Sequence, residues 1–453
     1  MQVPIQSGVR SSKAGYATTF PVNLQHEVRE SGLSKGQIVT ARGASTFATG
    51  PGKDRGGAVF RGVHYRVMGS KLVSVSESGT ITEIGDVGND GRPAGFTQDF
   101  ERLAVRSAEG LYYWDETTLL KVADFDLGKV LDATWMDGYF ITTDGEYIVV
   151  TDLLDPTSVD TLRYGSAESD PDPVTGVEAF EEELYGFGRF SVQVFRNVGT
   201  TGFPFQNVRG ATVSVGCVSA DAKVRIGQTL AFVGGARDEP IGVYIMGGGR
   251  ATRISPPEID EMLAKENAST IVLEARTFGD EQHLIIHLSD RAIVLAIRAT
   301  GEVGQGAWHI AHSGYFDRYR LRHAVFVYGK HICGDPTSGT LGVLSHDVDT
   351  HYGETVHWRF EAGLLFDQGN GMIMREVDLF GRKPSKPTTI WLSMTRDGET
   401  WSREVGRKLE GKRSERMQWR PNVRVDEQVG FRFRGTGQIA VARCDVTGEP
   451  LSV

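Results

Sequence analysis

Val67-Met-Gly-Ser-Lys-Leu-Val-Ser-Val75 reads as two short strands folded back on one another, with apolar positions on either side of a Gly-Ser pair suited to a two-residue hairpin turn. The same unit returns in Ala104-Val-Arg-Ser-Ala-Glu-Gly-Leu-Tyr-Tyr-Trp114 and in Trp135-Met-Asp-Gly-Tyr-Phe-Ile-Thr-Thr-Asp-Gly-Glu-Tyr-Ile-Val-Val150. Recurrence at roughly 30 to 45 residues is the spacing of a small antiparallel sheet repeated around an axis. The expected fold is all-β: a β-propeller-like ring of six or seven small sheets, then a C-terminal antiparallel β-sandwich-like domain, with one short inserted helix. Candidate blades fall at 58–87, 96–125, 131–164, 176–216, 226–255, 282–316 and 321–350.

A chain of 453 residues exceeds the size at which one core stops growing. The expected division is an extended N-terminal arm over 1–55, a propeller over 56–352 and a C-terminal β domain over 353–453, which strands of the arm are placed to complete. Glycine, 56 of 453 residues, is well above the roughly 7% usual in proteins and has no collagen-like period, as turn-rich β structure requires. After Arg253, Ser255-Pro-Pro-Glu258 reads as a helix start, with Ser255 as N-cap, and Ile259, Met262 and Leu263 share one face to about Glu266.

The net charge of −9 argues against a surface that grips nucleic acid throughout and leaves room only for local basic patches. Cys217, Cys333 and Cys444 are far apart and odd in number, so they read as buried hydrophobes in a reducing cytoplasm rather than as disulfides or a zinc site. The first ten residues lack the apolar core of a signal peptide, and no apolar stretch approaches a membrane span.

The usual catalytic signatures are missing. His283 and His287 are four apart, but Leu-Ile-Ile between them favours a strand, which sets the two rings about 13 Å apart, too far to share a metal. Trp308-His-Ile-Ala-His312 reads as a strand or turn, and Gly247-Gly-Gly249 as a turn without the Lys-Ser/Thr of a phosphate loop. No cofactor, metal or catalytic residue is assigned. Ser393-Met-Thr-Arg-Asp-Gly-Glu-Thr-Trp401 resembles the Asp-box hairpin of sialidase-type propellers, with Arg396 where the box wants its aspartate; a glycan-binding or sialidase-like propeller is the alternative it raises.

Two charged stretches stand out. Glu168-Ser-Asp-Pro-Asp-Pro173, with Glu178 and Glu181-Glu-Glu183, has no Lys or Arg between Arg163 and Arg189, so it reads as a solvated acidic loop, a cation site or a surface that repels DNA. The other holds Arg403, Arg407, Lys408, Lys412, Arg413, Arg416, Arg420 and Arg424 against Glu404, Glu410 and Glu415. It reads as a solvated loop, a protein interface or a phosphate contact.

The order of several motifs resembles the tail-nozzle or tail-hub proteins of short-tailed phages (podoviruses), also called packaged DNA stabilisation proteins. The resemblance runs from Phe20-Pro-Val-Asn23 through Phe60-Arg-Gly-Val-His-Tyr-Arg-Val-Met-Gly-Ser-Lys-Leu72, Ile84-Gly-Asp-Val-Gly88, Thr151-Asp-Leu153, His283-Leu-Ile-Ile-His-Leu288 and Ile332-Cys-Gly-Asp335. It closes with Leu392-Ser-Met-Thr-Arg-Asp-Gly398, Gln418-Trp-Arg420 and Gly430-Phe-Arg-Phe-Arg434; Pro421-Asn422 departs from the Gly-Arg usual there. It implies a structural virion protein without catalytic residues, made in the host cytoplasm and placed in the tail. Its implied partners are further copies of itself in a homohexameric ring, the portal-adaptor protein, a tail needle or plug, tailspikes, and genomic double-stranded DNA passing through the channel, with no membrane.

Overall fold

Gly69, at φ 64°, turns the chain so that Met68 faces Lys71 and Val67 faces Leu72, the hairpin expected of that stretch. Asp137 and Gly138, at φ 52° and 90°, do the same between Met136 and Tyr139 with the two left-handed residues of a type I′ turn. The computed structural model describes every residue except 1, 4, 6–7, 13–14, 29–33, 35, 167–171, 209, 304–305, 367–370, 427 and 452–453.

Such hairpins build blades at 54–86, 95–121, 132–166, 174–207, 216–253 and 272–311. The seventh blade joins Arg322–Val327, Lys330–Gly334 and Thr340–Ser345 to Gly43–Thr49, which pairs antiparallel with Thr340–Ser345 as the next strand outward. The first strand of each blade touches its counterpart in the next, with the Ala220–Ala222 turn serving for blade 5, and blade 7 closes on blade 1. Apolar clusters fill the seams between successive blades, as with Phe60, Leu72 and Leu103 between blades 1 and 2. The all-β propeller and sandwich expected from the sequence are thus present.

Residues 1–55 are distributed differently from the extended arm expected of them. Gly43–Thr49 belongs to the propeller, whereas Leu24–Val28 and Gly36–Thr40 extend a sheet of the sandwich. That sheet runs Leu24–Val28, Gly36–Thr40, Ala440–Pro450 and Met372–Arg382, flanked by Met417–Trp419 and Val423–Val425. The facing sheet runs His357–Phe366, Gln428–Thr436, Thr388–Thr395 and Val405–Leu409, and Trp358, Phe360, Phe431 and Phe433 are buried in the core between the two. The strand after the Asp-Gly turn is Val405–Leu409, and the blade at 272–311 starts earlier than the 282 expected of it.

The helix occupies Pro257–Ala264, with Ile259 and Leu263 buried against blade 5 and Pro257 in its first turn. Ser255 is not its cap: the Ser255 hydroxyl accepts from the Val243 amide and donates to Asp260, while Pro256 holds the N-cap position. A second short helix, Ile297–Val303, was not signalled by an apolar stripe.

Propeller and sandwich meet at Val22 and Asn23. Val22 bridges Ile310 of blade 6 and Arg359 of the sandwich. Asn23, buried at φ 55°, donates from Nδ2 to the His357 carbonyl at 2.7 Å and accepts at Oδ1 from the His312 amide at 2.8 Å. Asn is among the few non-glycine residues that adopt this conformation readily. Asn23→Ala is expected to cost about 2–4 kcal/mol, because it strands two buried backbone groups and adds left-handed strain. Denaturant unfolding checks this; an unchanged midpoint would show that the junction does not depend on Asn23.

Candidate functional site

The bore of the propeller is occupied by charge. Asp221, in the turn Ala220–Ala222 that enters blade 5, reaches Arg106 of blade 2 at 2.7 Å and Arg92 at 3.4 Å. Lys223, beginning the next strand, pairs with Asp132 of blade 3 at 2.8 Å and Glu178 of blade 4 at 3.2 Å. Burial alone would raise the Asp221 carboxyl, but Arg106 and Arg92 outweigh it and hold it below the usual range. Burial likewise opposes charge on Lys223, and its two carboxylate neighbours reverse that. Contacts between blades 5 and 2 cross the ring, so ion pairs bridge the bore. Nothing in the local sequence signals this network, since Arg106 and Asp221 lie 115 residues apart.

A second buried cluster lies where the ring closes. Arg66 Nε donates to Asp54 at 2.7 Å, and His323 Nδ1 lies 2.9 Å from the other oxygen of that carboxylate. In blade 6, Glu274 accepts from Arg276 at 2.6 Å, from His287 Nε2 at 2.8 Å and from the amides of His323 and Ala324. A carboxylate oxygen only accepts here, so His287 carries its proton on Nε2. Burial would raise Glu274, but Arg276 and His287 hold it well below the usual carboxylate range. These groups bind blades together, and Asp54 and His323 also line a cavity of about 480 Å³.

The candidate metal pair does not form a site. His283 and His287 both lie buried on the strand Glu281–His287, with His287 committed to Glu274. Among the described residues no group of three or more His, Cys, Asp or Glu is placed to hold a metal. The three thiols are buried, and burial pushes Cys217 and Cys444 up to about 12 and Cys333 to about 11, far from thiolate chemistry at neutral pH. Gly248 and Gly249, both at positive φ, make the turn expected of the glycine triplet. In the Asp-box-like hairpin, Asp397 Oδ1 accepts from the Glu399 and Thr400 amides and from the Thr395 hydroxyl, so this oxygen is held by its own turn, and the residue lines a cavity of about 500 Å³ with Arg396 and Trp401.

The acidic segment is compensated from a distance. Residues 168–171 lie outside the described residues. Asp172 accepts from the Phe190 and Ser191 amides, Glu178 meets Lys223 and Arg225 of blade 5, and Glu183 pairs with Arg196 at 2.7 Å. Glu181 and Glu182, at φ 49° and 63°, form the hairpin turn itself. Of the readings open to this segment, its described acids act as structural partners.

The eight basic residues all lie exposed, wrapped around one edge of the sandwich. Arg403, Arg407 and Lys408 belong to or precede the edge strand Val405–Leu409. Lys412 and Arg413 turn the chain, Arg416 and Arg420 flank Met417–Trp419, and Arg424 lies on Val423–Val425. Trp419 Nε1 donates to the Val405 carbonyl at 3.0 Å and ties the two sheets together there. Arg420 pairs with Glu376, Arg424 with Asp426 and Lys412 with Glu410. Among the described residues the side chains of Arg403, Arg407, Lys408, Arg413 and Arg416 have no ionic partner, and Arg407 donates only to the Arg416 carbonyl. Charge along an edge strand blocks pairing with stray strands; five cations without ionic partners also leave a surface that attracts an acidic partner.

Comparison with known proteins agrees with this architecture. The sequence matches the family described as Bacteriophage P22 Gp10, beta-propeller, over residues 1–349, and that described as Bacteriophage P22 Gp10, beta-sandwich, over residues 357–449. A relative, the tail hub protein gp10 of Salmonella phage P22, is 26% identical over 468 residues, covering 96% of this chain and 96% of its own. Among solved structures, the N-terminal domain of Nup159 aligns with 72% of this chain and 98% of its own at 12% identity and a TM-score of 0.43. The Neurospora crassa Pan2 WD40 domain aligns with 69% of this chain and 98% of its own at 8% identity and a TM-score of 0.42. With both folded units matched in order and over nearly the whole chain, this protein belongs to the bacteriophage P22 Gp10 family.

Proposed function

We propose that this chain is a tail hub: a structural component of a short-tailed phage virion that assembles as a ring of identical copies, six in number. The ring sits on the portal side of the tail against the adaptor, extends the DNA channel and retains packaged DNA until infection. It also carries the needle or plug and the tailspikes. The observation that carries the reading is the match of propeller and sandwich to one family whose relative in phage P22 is named a tail hub protein. The role is one of assembly rather than catalysis.

The bore of each propeller is bridged by Arg106–Asp221 and Lys223–Asp132. DNA therefore runs along the axis of the ring, between copies. A net charge of −9 suits a wall that lets DNA slide without gripping it, because tight backbone binding requires clustered Lys and Arg. Electron microscopy of the purified protein, alone and with portal and adaptor, is expected to show six-fold rings with an open centre. Particles that stay monomeric at micromolar concentration in both conditions would sink the proposal.

A further inference from the structure

A ring of identical copies needs two different surfaces that fit each other, because each copy meets its neighbours head to tail. The chain carries such a pair, one on the propeller and one on the sandwich. In an antiparallel four-stranded sheet the first and third turns lie at the same end; in blades 2 and 3 these are 99–102, 115–118, 137–138 and 152–158. They place Asp99, Glu101, Asp115, Glu116, Asp152 and Asp155 together, with Arg102 the one basic side chain within them. Phe100 and Leu154 stand on the same turns at 86% and 93% exposure. Single exposed apolar residues are ordinary, but large ones ringed by charge of one sign mark a contact surface. Arg61 reaches Glu116 from blade 1, Arg102 pairs with Asp99 and Glu101, and Arg163 with Asp152, which still leaves the acids in excess at this end.

The complementary surface is the basic edge over 403–424. The sandwich meets the propeller at blade 6 through Val22, and blades 2 and 3 each lie three places from blade 6 in the ring of seven. Within the sandwich, His357–Phe366 and Leu24–Val28 are the edges on the propeller side, while Val405–Leu409 and Met417–Trp419 are the far edges of their sheets. Among the described residues no ion pair joins the acidic end to the basic edge within one chain.

We propose that the acidic, apolar turns of blades 2 and 3 in one copy dock on the basic sandwich edge of the next copy. The contact rests on the ring reading above and names its interface: Phe100 and Leu154 supply apolar area, and Arg407, Lys408 and Arg416 supply the charge that fixes register.

The test uses two variants of the full chain, Leu154→Asp and Arg407→Glu with Lys408→Glu, measured by sedimentation with wild type alongside. Each is expected to run as a 49.6 kDa monomer with an unchanged thermal transition. Mixed in equal amounts, they are expected to form a particle of twice 49.6 kDa that grows no further, because each supplies the surface the other lacks. If either loses its thermal transition, Phe100→Asp or Arg416→Glu replaces it with the same expectation. A wild-type ring that both variants leave intact, or folded variants that stay monomeric when mixed, overturns the docking alone. Retention of the ring by Arg407→Glu/Lys408→Glu with loss of double-stranded DNA binding overturns it in favour of a DNA contact. A wild type that is itself monomeric overturns the ring reading, and the docking with it.

Discussion

Asp54→Ala is expected to destabilise the protein by about 3–5 kcal/mol at pH 7, because it leaves the Arg66 guanidinium buried without a counter-charge. Both side chains are fully buried, 2.7 Å apart, and the same carboxylate meets His323 at 2.9 Å. Asp54 opens the first strand of blade 1, Arg66 lies on the second and His323 on the first strand of blade 7. The carboxylate thus fastens the seam at which the ring closes. Burial alone would raise its pKa, yet Arg66 and His323 outweigh that and bring it to about 2. The double variant Asp54→Ala/Arg66→Met is expected to recover much of the loss, since it removes the orphaned charge. Denaturant unfolding decides: a loss below about 1 kcal/mol for the single variant would mean that the cluster is hydrated or rearranges, contrary to the geometry described.

Acidification is expected to unfold the protein well before its carboxylates protonate. Burial lowers His64, His283, His287 and His351 to about 3 and holds His309 well below the usual histidine range. Arg66 adds to the effect at His64, Arg42 and Arg276 at His283, and Arg320 and Arg276 at His351. At His287 the bond to Glu274 works the other way without reversing it. In the unfolded chain a histidine titrates near 6.5, so between about 6.5 and 3 the unfolded state binds protons that the folded state refuses. Stability therefore rises with pH in that window and is lost as pH falls through it.

At pH 4.5 the medium is about two units below the unfolded pKa of each of the five rings, a combined cost on the order of 10 kcal/mol, which rivals the whole stability of a typical domain. The depressed Asp54 contributes stability above about pH 4 that disappears only as pH falls toward 2, so it follows the histidines. The expected record is a Tm that is flat above about pH 7 and falls steeply from 6.5 to 4.5, with uptake of about five protons on unfolding near pH 4.5. His283→Gln is expected to reduce that uptake by about one. A Tm unchanged down to pH 4.5 would rule out neutral burial of these rings.

The hairpins were legible because their causes are local. Gly69 and Asp137-Gly138 adopt the left-handed conformations their residue types favour, and apolar alternation on either side sets the register. The strand Gly43–Thr49 was not legible. It lies outside Thr340–Ser345 and buries only Gly43 and Ala44 fully, so it carries no alternation, and its partner lies some three hundred residues along the chain. Val272–Phe278 was passed over because Glu274 and Arg276 interrupt its apolar run. Their charges are tolerated only because Tyr319, Leu321 and His287 converge on them.

By itself the sequence determined the repeating antiparallel sheets, the C-terminal β domain, the family likeness and a basic run over 403–424, since turn chemistry, strand alternation and charge are properties of neighbouring residues. Only the tertiary structure decided which strand closes the ring, that Arg106 and Asp221 pair across it, and that the basic run forms the sandwich edge farthest from the propeller. Those facts depend on pairing and desolvation between residues distant in the chain, whose cost and gain exist only once the chain has brought them together.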